Sequence, residues 1–386
     1  MPKKLCFVVN NAAFFASHRL PIAIKFIQLG GQVDLIIGKP GSKVMEGHAV
    51  NEIESHGIRI WRVPLSTSGV NPILELIGLY HVQRHLRAIQ PDVVHCASPK
   101  GIIHGGLGAR IAGVRSVVFS VSGLGFAFTS TDNSLTRRIA RKAFEAVAKI
   151  AFVHGNKRVI VQNTQDYNEL IDLGVAQPSN LVVTKGSGTD VAKISEVDIE
   201  SKEKLVVLPS RLIRDKGVCE YLEASNQLAS RHPDWTFAVI GANDYDNPSR
   251  LSDSELERYT QKENVIWLPH SEDISSLLRR TSIVCLPSYR EGMPKALLDA
   301  AAAGCAIVTT DVPGCLEAII PDETGDIVPV KSINELREAL SNLIKEESRR
   351  HRYAARALEF ARDELDRDTV VRINLDQYDD LLSDDV

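Results

Sequence analysis

Ile283-Val284-Cys285-Leu286-Pro287-Ser288-Tyr289-Arg290-Glu291-Gly292-Met293-Pro294-Lys295-Ala296-Leu297-Leu298-Asp299 holds the strongest structural signal in this chain. Its first four residues are a short apolar run with β-branched side chains, the pattern of a buried strand. Pro294 suits the first turn of a helix, where its missing N–H is no loss. Glu291 then falls in the strand-to-helix loop, and Asp299 lies about two turns into the helix. Gly292 removes a side chain where backbone amides can approach a ligand. The helix start offers unpaired N–H groups and a positive dipole end to a phosphate or to sugar hydroxyls. On spacing alone, the same residues also fit an acidic loop before a Pro-initiated helix that carries one exposed Asp.

Working outward, short β-rich runs alternate with helical patterns along the chain. Leu5–Val9, Val33–Ile37, Asp92–Val94, Ser116–Phe119 and Val159–Val161 come first. The series restarts with Leu205–Leu208, Thr236–Gly241, Val265–Leu268, Ile283–Leu286 and Ala306–Thr309. Strands separated by helices imply parallel sheets, and two such series imply two similar α/β halves. The polar stretch Lys193-Ile194-Ser195-Glu196-Val197-Asp198 predicts a hinge within residues 191–203. No short sequence repeat accompanies the duplication.

A length of 386 residues agrees with two domains. Hydrophobic residues make up 44% and charged residues 24%, an ordinary globular balance, and no apolar run approaches the ~20 residues of a membrane span. Met1-Pro2-Lys3-Lys4-Leu5 leads directly into a strand instead of a signal-peptide core, so a cytoplasmic protein is expected. Six cysteines without a C-x-x-C pair favour reduced, buried thiols over disulfides or zinc. His95, His104 and His154 likewise lack metal-ligand spacing, so satisfied structural histidines are expected. Charge is uneven: residues 1–195 carry 22 Lys and Arg against 12 Asp and Glu, whereas residues 196–386 carry 23 against 37. The basic half suits phosphate groups, an anionic membrane or nucleic acid; no interleaved aromatic platform supports nucleic acid.

Ligands of open parallel sheets collect beyond the carboxyl ends of the strands. There, Leu208-Pro209-Ser210-Arg211-Leu212-Ile213-Arg214-Asp215-Lys216-Gly217 places Arg211 and Lys216 in one loop. Two fixed cations suit a diphosphate and its departure without a metal. The Gly-rich pieces at 105–108, 123–125 and 186–188 do not complete G-x-G-x-x-G after the first strand, and no triphosphate loop occurs, which argues against a hydride-transfer enzyme.

From Arg211 to Ile320 the chain resembles the nucleotide-binding half of the retaining GT-B glycosyltransferases of the family 4-like group. The resemblance rests on Arg211/Lys216, on Glu291-Gly292-Met293-Pro294 with an acid eight positions after Glu291, and on Ala302-Ala303-Gly304-Cys305-Ala306-Ile307-Val308-Thr309-Thr310-Asp311-Val312-Pro313-Gly314. Weaker similarity runs through Phe14-Phe15-Ala16-Ser17-His18-Arg19-Leu20-Pro21, Pro91-Asp92-Val93-Val94-His95 and Ser122-Gly123-Leu124-Gly125. Within the family the chain is most similar to bacterial transferases that act on polyprenyl-diphosphate-linked glycans. The implied fold is two Rossmann-like, doubly wound parallel-sheet domains facing a cleft: an acceptor domain over 1–195, a donor domain over 196–365, and a helix over 366–386 crossing back to the first.

The resemblance implies that Arg211 and Lys216 bind the donor diphosphate. Glu291 and the amides around Gly292, Met293 and Pro294 would hold the donor sugar, Asp299 the ribose, and Trp267 to His270 the uridine. It implies transfer of a hexose or N-acetylhexosamine from a UDP-sugar to a lipid-linked saccharide, with retention and without metal or other cofactor. Three departures from the family pattern stand out: Asp299 replaces a common Glu, Ser122 stands where many relatives carry a His, and Asn10-Asn11-Ala12-Ala13 lacks paired glycines. A UDP-sugar epimerase of the same architecture and an inactive sugar-nucleotide-binding scaffold are the alternatives.

In the first half, His18 and Arg19 are candidate cleft contacts or else a helix-start His beside an exposed Arg. Lys100 is either an acceptor contact or a solvated lysine, and Ser122 and Gly123 are further candidates. At helical spacing, residues 135–151 set Leu135, Ile139, Ala143, Ala146, Val147, Ile150 and Ala151 opposite Arg137, Arg138, Arg141, Lys142 and Lys149. That pattern fits either peripheral contact with an anionic membrane, at the inner face of the cell membrane, or an amphipathic helix packed on the first sheet.

Overall fold

The computed structural model describes residues 3–39, 43–65, 71–123, 146–242, 247, 249–269 and 273–383, with the side chains of 43–45 excepted. The chain divides into two compact units: Met1–Ser187 together with Val370–Val386, and Gly188–Thr369.

Among the described residues, the first unit has seven strands: β1 Lys4–Val9, β2 Gln32–Ile37, β3 Arg59–Arg62, β4 Val93–Ala97, β5 Ser116–Val121, β6 Asn156–Val161 and β7 Leu181–Val183. They form one parallel sheet in the order β3-β2-β1-β4-β5-β6-β7. Side-chain alternation divides β1 between two cores. Leu5, Phe7 and Val9 pack on one face with Phe15, Ile22 and Tyr378, and Cys6 and Val8 pack on the other with Val82, Leu86 and Ile102. Both faces are covered, so the strand reads as a continuous apolar run.

The second unit repeats the plan with β8 Glu203–Pro209, β9 Thr236–Ile240, β10 Val265–Leu268, β11 Thr281–Leu286, β12 Ala306–Thr310 and β13 Gly325–Val328. Its parallel sheet runs β10-β9-β8-β11-β12-β13. In each sheet the strand order reverses once, at β1/β4 and at β8/β11, and the two connections leave in opposite directions to open a crevice beyond the strand ends.

The expected strands are present, and three more complete the sheets: β3, β7 and β13. Each pairs on one side only, and the Arg-Ile-Trp-Arg of β3 has an arginine at either end and no fully buried position. The second unit begins at Gly188, ahead of the polar stretch expected to be the hinge. Thr189 bridges Asp366, Asp190 caps helix Val191–Ile194, and the Arg367 guanidinium pairs with Asp190 at 3.0 Å, which fixes residues 188–195 within that unit. The chain re-enters the first unit within helix Arg367–Ser383, whose Val371, Tyr378 and Leu381 join its core.

All six cysteines are free, and all but Cys219 are buried. Residues 135–145 of the basic stretch lie outside the described residues. In the part that is described, Ala151 of the apolar side is buried, whereas Val147 and Ile150 are exposed.

Candidate functional site

The crevice position of the second sheet is bounded by the loops after β8 and β11. After β8, Pro209 and Ser210 lead to exposed Arg211, then to a short 3-10 turn Arg214–Lys216 and helix Val218–Ala229. Gly217 joins turn to helix at φ +69°, and a Cβ there would stand 2.1 Å from the Pro287 carbonyl oxygen. Only a glycine lets the two loops approach this closely. The Tyr289 amide donates to the Asp215 carbonyl at 2.9 Å, and the Tyr289 hydroxyl donates to Glu220 at 2.6 Å.

Across this junction the Lys216 ammonium pairs with the Glu291 carboxylate. Ser288 Oγ donates to the same Glu291 oxygen at 2.7 Å, and Thr310 at the end of β12 donates to the Ser288 carbonyl at 2.5 Å. Three adjacent strand ends therefore set the Glu291 position. The Glu291 side chain is 10% exposed and that of Lys216 22%. A cation and a carboxylate at this depth, facing a crevice, are charge-assisted hydrogen-bonding groups suited to a polar, anionic ligand.

The Glu291–Gly292 peptide rests on helix Pro313–Leu316. A Cβ on Gly314 would lie 2.2 Å from the Gly292 carbonyl oxygen. Burial pushes the nearby Cys315 thiol up to about 12, and the Glu291 charge adds to the shift. Met293 is buried with Leu297, Val312 and Cys315, so its side chain anchors the loop and does not line an open surface. Pro294 has no N–H and is the N-cap of helix Lys295–Ala302. The donors at that end are instead the first helical amides, Lys295 and Ala296, which lack an intrahelical acceptor by position.

Asp299 differs from its expected place. It is the fifth residue of helix Lys295–Ala302, a little over one turn in, and it is buried at 6% exposure. Lys295 Nζ reaches both carboxylate oxygens at 2.7 Å, and Thr189 Oγ1 donates to Oδ1 at 2.7 Å. A carboxylate has about four lone-pair sites, so these bonds leave little free acceptor capacity. Trp267 is 40% exposed, and its Nε1 donates to the Gly241 carbonyl at 3.1 Å. His270 lies outside the described residues.

In the first unit, His18 Nδ1 is 3.2 Å from Ser187 Oγ. Arg19 is 3% exposed, contrary to the exposed arginine of a helix start. It donates to the His18 carbonyl at 3.0 Å, lies over the Phe14 ring, and burial lowers it to about 10. Lys100 is not a solvated lysine: it pairs with Glu75 at 2.7 Å, and His104 Nε2 lies 3.0 Å from the other Glu75 oxygen. Ser122 and Gly123 follow β5 and are half-buried, Gly123 with φ 111°.

Three contributors escaped the sequence reading. Ser288 stands three residues before Glu291 and carries its own signal as a polar residue at a strand end. Thr189 is 110 positions from the Asp299 it contacts, and no local pattern marks it. Glu46 is buried and accepts from the Ala12 and Ala13 amides at 2.9 and 3.3 Å. The start of helix Ala12–His18 is thus occupied by the protein's own carboxylate. Among the described residues, no three His, Cys, Asp or Glu side chains gather as a metal site.

Comparison with known proteins agrees with this layout. The family model described as glycosyl transferases group 1 matches residues 191–360, and that described as glycosyl transferase 4-like matches residues 4–154. A Campylobacter jejuni protein named N,N'-diacetylbacillosaminyl-diphospho-undecaprenol alpha-1,3-N-acetylgalactosaminyltransferase is 26% identical over 87% of this chain and 89% of its own. An Escherichia coli UDP-Gal:alpha-D-GlcNAc-diphosphoundecaprenol alpha-1,3-galactosyltransferase is 26% identical over 73% of this chain and 74% of its own. Among solved structures, Anabaena HepE in complex with UDP-glucose superposes with a TM-score of 0.76 at 18% identity, covering 99% of both chains. Sucrose-phosphate synthase from Thermosynechococcus elongatus gives 0.78 at 15% identity, again over 99% of both.

Proposed function

The chain belongs to the GT-B glycosyltransferases, and from that membership we propose that it moves a hexose or N-acetylhexosamine from a UDP-sugar to a polyprenyl-diphosphate-linked saccharide, with retention at the anomeric carbon. The observation that carries this reading is the Lys216–Glu291 pair joining the loops after β8 and β11, with Arg211 exposed in the first of those loops. The acceptor class is supported by the names of the two diphosphoundecaprenol transferases, and the donor class by the HepE complex with UDP-glucose. Acceptors of this kind are membrane-linked, so the site of action is the inner face of the cell membrane.

In the reaction, the bond from the donor anomeric carbon to the diphosphate oxygen breaks, and UDP leaves with the electron pair. The acceptor hydroxyl oxygen bonds the same carbon on the same face, and its proton passes to the departing phosphate. Arg211 and Lys216 stabilise the charge that grows on the diphosphate, so the step draws on fixed cations and not on a metal. Glu291 accepts from the donor sugar hydroxyls, while Lys295 and Ala296 amides donate to the sugar or phosphate oxygens. Ser288 holds the Glu291 carboxylate in place for that contact. The residual lone pair of Asp299 takes a ribose hydroxyl.

The test is a panel of UDP-sugars titrated onto the purified protein in the presence of a chelator, with Lys216→Ala in parallel. Saturable binding of one donor by wild type alone, followed by transfer to a synthetic polyprenyl-diphosphate saccharide with an unchanged anomeric configuration, is expected. Loss of turnover on chelation would remove the metal-free step. Intact donor binding without transfer to any acceptor would put the scaffold reading in its place, and conversion of the donor sugar without acceptor would put the epimerase there.

A further inference from the structure

Arg19 is a cation that the first unit buries and does not neutralise. The residue is 3% exposed. Its Nη1 donates to the His18 carbonyl at 3.0 Å, whereas Nε is buried without a hydrogen-bond partner, and Nη2 makes no hydrogen bond among the described residues. Nε and Nη2 form the side-on edge of a guanidinium, which takes two oxygens of a phosphate or carboxylate in parallel. The Phe14 ring lies against the group, 6.0 Å from Cζ to centroid.

No acid balances the charge. Burial lowers Arg19 to about 10, and the one group acting in the opposite direction is the Tyr378 hydroxyl. Burial keeps that hydroxyl neutral, and it bonds His95, which burial also keeps neutral. Arg19 is in addition the N-cap of the nine-residue helix Leu20–Gln28, which has no side-chain cap and no acid in its first turn. Pro21 has no N–H, and the Ile22 and Ala23 amides turn back to the Arg19 carbonyl at 3.1 and 3.2 Å. The helix therefore supplies a positive dipole end, and Arg19 supplies the donors. Arg350, the other buried arginine among the described residues, shows the contrast. Its Nη1 takes the Leu343 and Ile344 carbonyls at a helix end of the opposite sign, and Glu347 lies 3.5 Å from Nη2. A buried charge left unpaired is costly, so the open edge of Arg19 calls for an anion from outside the chain.

Position narrows that anion. Helix Ala12–His18 follows β1, and Ser187, which follows β7, lies 3.2 Å from His18 Nδ1. Arg19 thus stands by connections that leave the carboxyl ends of the first sheet, where ligands of such sheets collect. The proposed reaction brings two anions, the diphosphate of the UDP-sugar and that of the acceptor. We propose that the Nε/Nη2 edge of Arg19, with the start of helix Leu20–Gln28, holds a phosphoryl group of a substrate in the first unit. This site is separate from Arg211 and Lys216, which belong to the second. Its assignment to a substrate rests on the transferase reading.

The experiment begins with calorimetric titration of inorganic pyrophosphate onto the full chain carrying Lys216→Ala, which removes a cation from the donor loop. Arg19→Met and Arg19→Lys are then added in turn. Methionine fills the place of the stem without the charge, and such a replacement of a buried ion is often neutral or stabilising. Pyrophosphate binding about tenfold weaker or worse in Arg19→Met is expected, with an unchanged or higher melting temperature. Arg19→Lys, which keeps the charge and loses the paired N–H edge, should fall between. Equal binding by all three proteins would overturn the proposal, and so would a lower melting temperature in both Arg19 variants, the sign of a structural cation. With Lys216 restored, initial rates separate the two sources. A raised KM for a polyprenyl-diphosphate saccharide, but not for the same saccharide as an alkyl glycoside, assigns the acceptor, and a raised KM for the UDP-sugar assigns the donor. No change in either would overturn the proposal. Arg19-dependent pyrophosphate binding in a protein that transfers no sugar would count against the transferase reading alone.

Discussion

Lys216 and Glu291 form a pair whose two halves are unequally buried, and that inequality separates their mutational effects. Lys216→Ala leaves a carboxylate that is 10% exposed and accepts from Ser288 without its cation, which should destabilise the second unit by roughly 1–3 kcal/mol. Glu291→Ala leaves the more exposed ammonium to water and should cost less. Transfer should fall roughly a hundredfold or more in both. Thermal melts beside initial rates check this, and equal loss of fold and rate in Glu291→Ala would make the residue structural. Gly314→Ala forces a methyl to 2.2 Å from the Gly292 oxygen; the expected cost is about 1–3 kcal/mol with weaker donor binding, read by calorimetry and UDP titration. At this scale the acidic and basic candidates were legible from their residue types and spacing. The burial of Asp299 was not, because Thr189 and Lys295 close over it only once the chain has folded.

Among the elements, β4 of the first sheet holds a polar network inside the core. His95 on β4 is fully buried, with Nε2 2.6 Å from Ser120 Oγ on β5 and Nδ1 2.5 Å from the Tyr378 hydroxyl on the last helix. Burial, and then the Arg19 charge, hold this imidazole well below its ordinary 6.5. Burial also lowers His104 and His154. These groups stay neutral in the folded state while the unfolded chain takes up protons near pH 6.5. Their contribution is therefore present above that pH and is lost as pH falls below it. The melting temperature should drop between about pH 8 and about pH 5.5, and His95→Asn should start lower but fall less steeply. A parallel slope in the variant would clear His95 of the effect. Sequence periodicity found the central strands, whose two faces are both apolar. Of the four edge strands it found β10, whose Val265–Leu268 is wholly apolar, and missed β3, β7 and β13, which are only three or four residues long and, in β3 and β13, interrupted by charged residues.

For the whole molecule, the decisive feature is that the first unit is discontinuous in sequence. Val371, Tyr378 and Leu381 belong to its core although they follow the entire second unit. A chain ending at Thr369 should therefore lose more than about 5 kcal/mol of first-unit stability, given the usual costs of emptying buried aromatic and leucine sites. UDP binding by residues 188–369 should persist. Two-transition calorimetry with a parallel UDP titration checks this, and an unchanged first transition would show the returning helix to be dispensable. The sequence by itself determined the two α/β halves, the parallel strands and the acidic and basic residues of the donor loops, because local periodicity and the strand-loop-helix grammar depend on neighbours a few residues apart. Only the tertiary structure decided that Thr189 meets Asp299, that Glu46 fills the first helix start and that Arg19 is buried. Each of these depends on contacts between distant segments, which spacing along the chain does not carry.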